Sequence, residues 1–252
     1  MNKIIVTKST IAGELSDVLD FDMDLRAFIK AMEESVGRPI SKDEDLGELL
    51  DDNWKGFLKS LQSSDNPGDA VGWLFIISGP VRYFDSIVRD CLLNKTTDEE
   101  LLAILNLDIP LWTKGDVARA AVKNIKSSEV HLKVINSDLH LVWAPDWAQY
   151  ATNMFKYCEP SKEVTEVTFN KINEVFLSKW EEVSKGMEDY DMTNVGESIE
   201  PLVDAYNKYL DKKGFDLPKL NFEEFPVSKF MIASVLDQEQ QSGDFKPTNL
   251  FE

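Results

Sequence analysis

Three aspartates at alternate positions, Asp20, Asp22 and Asp24 in "VLDFDMDL", form the string best suited to collecting a divalent cation. A calcium loop of the EF-hand kind needs glycine at its sixth position and a bidentate acid at its twelfth, and Leu25 and Ala31 stand there. The alternative reading is that these acids sit at a helix N-terminus, where negative charge is favoured. Both histidines of the chain, His131 and His140, fall within "VHLKVINSDLHLVWAPDW". Two imidazoles are too few to hold a catalytic zinc, and nothing in the sequence puts a serine or cysteine beside them to build a nucleophilic relay. No GxSxG, P-loop, GxGxxG or HExxH occurs anywhere. The expectation is a chain without catalytic residues, metal or cofactor, with a metal-dependent enzyme using Asp20, Asp22 and Asp24 as the weaker alternative.

Two short strings bear a resemblance to known motifs. "VLDFDMDL" superficially resembles the aspartate-nucleophile motif of haloacid-dehalogenase-type phosphatases, a short apolar strand followed by DxD. It departs from that motif in having Asp24 where Thr or Val is expected, and only Val18 and Leu19 precede it as apolar residues. The C-terminal "KPTNLFE" loosely resembles the peptides by which bacterial proteins dock on the sliding clamp, with Leu250 and Phe251 as the apolar plug. The upstream glutamine of those peptides is replaced by Lys246 and Pro247.

The stronger signal is charge. With 27 basic against 45 acidic residues the chain carries −18. The acids gather toward both ends, whereas residues 70–126 balance. Such a field repels phosphate backbones and anionic lipid and attracts basic surfaces. Three clusters present the carboxylates: Asp43, Glu44, Asp45, Glu48, Asp51 and Asp52; then Glu188, Asp189 and Asp191 around Tyr190; then Glu223 and Glu224 between Phe222 and Phe225. The aromatics would supply the desolvated anchors of an interface. These residues, with Leu250 and Phe251, are the expected partner-binding set. The expected function is a non-enzymatic acidic binding protein that acts on a basic protein partner as an inhibitor, immunity factor or nucleic-acid mimic. It would make no direct contact with nucleic acid or membrane. The alternative is a structural subunit that assembles through the neutral apolar stretch of residues 70–126.

The elements that must position these groups follow from periodicity. Leu25, Phe28, Ile29, Met32 and Val36 predict a helix closed by Gly37. Ser41 and Glu44 form a capping-box pattern ahead of the stripe Leu46, Leu49, Leu50, Trp54, Phe57, Leu58 and Leu61. "AVGWLFII" reads as a buried helix, and Thr97 with Glu100 caps another. Alternation in "VHLKVINSDLHLVW" predicts an antiparallel hairpin over residues 130–144, with Leu132, Val134, Leu139, Leu141 and Trp143 inward and His131, Lys133, Ile135, His140 and Val142 on the wet face. The N-terminal strand 3–8 would join it. Further helices are expected over residues 145–158, from Lys162 to Lys185 with "MEDYDMTN" as a polar connector, and from residue 198 to 213 closed by Gly214. The predicted class is therefore α+β, predominantly helical. Residues 1–158 would form the main body, 159–237 a helical portion packed on it, and 238–252 a tail. Cys91 and Cys158 read as reduced thiols. No apolar run approaches a bilayer span and the N-terminus lacks a secretory h-region, so the expected location is cytoplasmic.

Overall fold

A computed structural model describes residues 5–13, 24–139 and 144–231. Every regular element among them is helical and none is a strand, so the fold is all-α rather than α+β. Residues 5–7 run without regular structure, and Thr7 caps a short helix, α1 (Lys8–Ala12), by accepting from the Thr10 amide. The predicted strand is thus replaced by a capped turn, held to the body because the Leu46 amide donates to the Val6 carbonyl at 2.7 Å.

Asp24 caps α2 (Leu25–Val36), which buries Phe28, Ala31 and Met32 and ends where Gly37 enters the left-handed region at φ 74°. In α3 (Leu46–Ser63) the predicted stripe is buried except Leu49, which is half-buried, but the cap is Asp45. Its carboxylate accepts from the amides of Gly47 and Glu48. Ser41 and Glu44 instead close the turn before the helix, with the Ser41 amide donating to Glu44 at 3.1 Å. Helix α4 (Pro67–Ser78) contains the apolar run and is buried on nearly every side, and α5 (Arg82–Asn94) crosses it. Phe28 knits the group together, meeting Phe57 and Phe84 edge-on at 6.1 and 6.5 Å.

A full capping box of Thr97 and Glu100 starts α6 (Asp98–Asn106), and α7 (Leu111–Ala121) follows with Pro110 at its cap. The predicted hairpin is overturned at α8 (Ser128–Ile135). Val130, His131, Val134 and Ile135 are buried while Lys133 is exposed, the spacing of a helix face and not of a pleat. Residues 140–143, which include His140, Leu141, Val142 and Trp143, lie outside the described residues.

Helix α9 (Ala144–Tyr157) buries Trp147, Tyr150, Ala151, Met154 and Phe155 as its spacing predicts. The long helix expected over 162–185 is broken. It forms α10 (Lys162–Asn173), then a wider turn across Glu174–Ser178 in which the Lys179 amide reaches back to the Glu174 carbonyl, then α11 (Trp180–Val183). The expected polar connector is partly helix, since α12 runs Asp189–Lys213 to a left-handed Gly214 and carries Pro201 within it. Helices α9, α10 and α12 share an aromatic layer: Phe155 lies 5.5 Å from Tyr206 and 5.4 Å from Tyr209, and Phe169 stacks on Tyr206 at 5.9 Å. The Tyr209 hydroxyl donates to the Pro160 carbonyl at 2.7 Å, tying α12 to the loop between α9 and α10. Residues 226–231 are helical, and the tail with Leu250 and Phe251 lies outside the described residues. No helix among the described residues is long and apolar enough to cross a membrane.

Candidate functional site: an acidic groove between two helices

On α3, Glu48, Asp51 and Asp52 are spaced by three and four residues and therefore share a face. Helix α5 lies alongside and presents Tyr83, Ser86, Ile87 and Asp90 at the same spacing. Together they line a groove of about 480 Å³. Gly47 permits the approach: a Cβ there would stand 2.9 Å from Ile87 Cδ1 and 3.2 Å from the Tyr83 ring. The groove floor is thus apolar and aromatic, while its walls are carboxylate.

Asp51 is satisfied internally, accepting from Lys95 at 2.7 Å, and Lys95 also reaches the Asp51 carbonyl. That hydrogen bond holds the Lys95 ammonium above its ordinary range. Asp90 accepts from the side-chain Nδ2 of Asn94 at 2.8 Å and makes no ion pair among the described residues. Asp52 is exposed, and its side chain has neither ion pair nor hydrogen bond among them. The nearby cations are committed elsewhere: Arg89 pairs with Asp85 and Lys55 with Glu100. The groove can accept the stem of a lysine or arginine on Tyr83 and Ile87 and its charged head among Glu48, Asp52 and Asp90.

The other expected partner-binding residues are dispersed, and several have structural work. Arg38 grips Glu44 through its two terminal guanidinium nitrogens, at 3.0 and 2.9 Å, and brings the carboxyl down to about 2. Asp45 is the α3 cap, and Asp43 accepts from the Ser9 hydroxyl at 3.0 Å. Glu188 is the cap residue of α12, with its amide bonded to Asp191; Asp189 and Tyr190 occupy the first turn. Phe225 is fully buried and Phe222 half-buried, stacked on each other at 6.2 Å, so the pair packs inward instead of forming exposed anchors; Glu223 and Glu224 beside them are exposed. Sequence reasoning missed Tyr83, Ser86, Ile87 and Asp90. Their own three-and-four spacing, off the Phe84, Val88 and Cys91 stripe, was the available signal.

His131 is no solvent-face residue. It is 2% exposed, and its Nδ1 lies 2.8 Å from the Tyr150 hydroxyl. Burial lowers its pKa to about 4, outweighing the opposing pull of Asp98 and of a backbone hydrogen bond with Ile125. Of the aspartate triplet, Asp20 and Asp22 lie outside the described residues. Asp24 caps α2, accepting from the Arg26 amide and side chain at 2.9 Å, the helix-end role weighed against metal binding. No family model, curated protein or solved structure matches this chain.

Proposed function

We propose that this chain is a non-enzymatic, intracellular acidic binding protein that engages a basic protein partner, in the manner of an inhibitor or immunity factor, through the groove between α3 and α5. The observation that carries the reading is the uncommitted carboxylate of Asp52, set with Glu48 and Asp90 around Tyr83 and Ile87 in a molecule of net charge −18. Long-range attraction speeds the approach of a basic surface, and the aromatic floor gives a lysine or arginine stem something to pack on. The assembly alternative draws no support from the apolar run Ala70 to Ile77, which is buried inside the fold except for the half-buried Phe75.

The test titrates the protein with a lysine- and arginine-rich helical peptide at low and high salt. Compared are Asp52→Asn/Asp90→Asn and a charge-matched control, Glu163→Gln/Asp216→Asn, in which equally exposed acids are removed elsewhere. The groove variant should weaken binding about fivefold to tenfold, as loss of two solvent-accessible pairs implies, and the control about twofold or less. Equal losses in the two variants would refute the groove.

A further inference from the structure

We propose that a second site, walled by α6, α7 and α8, binds a small amphipathic carboxylate, with its apolar tail on a leucine-lined wall and its head on Lys114. The cavity measures about 650 Å³, within the range of small-ligand sites. Leu102 and Leu105 of α6, Leu111 of α7 and Leu132 of α8 form its apolar side with Leu139. Lys114 and Lys133 both line it, and neither makes an ion pair among the described residues.

Lys133 has an ordinary explanation, since it lies in the last turn of α8, where positive charge is favoured. Lys114 has none. It occupies the first turn of α7, the end of a helix that disfavours a cation, and Pro110 gives that end no side-chain cap. Lys114 is also half-buried, and its burial, followed by the charge of Lys133, depresses its ammonium despite the opposing Asp108. Three separate effects thus oppose the charge of Lys114, and one anion seated beside it would offset them. The rim narrows the ligand class. Glu129 and Asp138 are exposed at the mouth and disfavour a multiply charged head, while Asn106, Asn136 and Ser137 offer neutral polar contacts. A single carboxylate on an aliphatic body satisfies both the wall and the rim.

Calorimetric titration at pH 7.5 with decanoate below its micellar concentration, decylammonium and acetate tests this on the full chain. Decanoate should bind at one site per chain, with neither decylammonium nor acetate competing for it. Lys114→Met, which keeps the aliphatic stem, should weaken decanoate binding about tenfold or more without lowering the melting temperature. Lys185→Met, at an exposed position remote in sequence, should leave it unchanged. Absence of decanoate binding, equal binding of decylammonium, or an unaltered affinity in Lys114→Met would each overturn the proposal. None of these outcomes bears on the acidic groove, which shares no residue with this cavity.

Discussion

Acidification should expose the buried imidazole. In the native state His131 carries its proton only below about pH 4, whereas in the unfolded chain it does so near its ordinary value of 6.5. Its folded pKa is lowered, so its contribution to stability is complete above about pH 6.5 and drains away as pH falls toward 4. The slope across that window is about 1.4 kcal/mol per pH unit, and the whole loss about 3 kcal/mol. Set against a typical domain stability of roughly 5–15 kcal/mol, that is a large share. The groups facing the ring are the Tyr150 hydroxyl from α9, the charge of Asp98 from α6, and a backbone hydrogen bond with Ile125; Asp98 alone among them adds negative charge, and burial outweighs it. Urea unfolding followed by circular dichroism at pH 7.5, 6.5, 5.5 and 4.5, in a His140→Gln background at constant ionic strength, measures the slope. The same series in His131→Asn corrects for carboxylates such as Asp146, whose pKa burial raises, and Glu33, whose pKa Lys8 lowers. The two series should diverge by about 2 kcal/mol in pH dependence between 6.5 and 4.5. Parallel curves would mean that the native imidazole accepts a proton freely with Tyr150 turned to receive it, and the burial argument would fail.

Other perturbations have equally definite outcomes. A Cβ at Gly68 would stand 2.4 Å from the Asp108 carbonyl oxygen, so Gly68→Ala should cost about 1–3 kcal/mol in a denaturant melt by pushing α4 off the loop before α7. Thr97→Ala removes the hydroxyl that accepts from the Glu100 amide at 3.2 Å and should cost about 1 kcal/mol in the same assay. Burial raises the Cys91 thiol to about 12 and Cys158 to about 11, so neither should react with a disulfide reagent at pH 8 until urea unfolds the chain.

Helices whose reasons are local were legible in the sequence. Gly37 and Gly214 stand at left-handed helix ends, Thr97 and Glu100 close a capping box three residues apart, and Phe28 and Met32 share a face by spacing alone. The segment from Val130 to Ile135 was misread because its β-branched alternation fits a strand, while its helical stripe requires a histidine to face the core. What makes that tolerable is Tyr150, nineteen residues on, whose hydroxyl satisfies the ring. The acidic groove was half legible for the same reason. Glu48, Asp51 and Asp52 fall on one face by arithmetic, but the approach of Tyr83 and Ile87 depends on the bare backbone at Gly47 meeting a neighbouring helix.

The aromatic layer between α9 and α12 also bears on how the molecule is made. A chain emerging from the ribosome presents Phe155 and then Phe169 well before Tyr206 and Tyr209 exist to cover them. Throughout that interval the growing polypeptide displays an uncovered oily surface, of the kind that holdase chaperones grip and that neighbouring nascent chains stick to. Until α12 is made that layer lacks its tyrosine cover, so a chain truncated before residue 189 should bind a hydrophobic dye that the full chain does not.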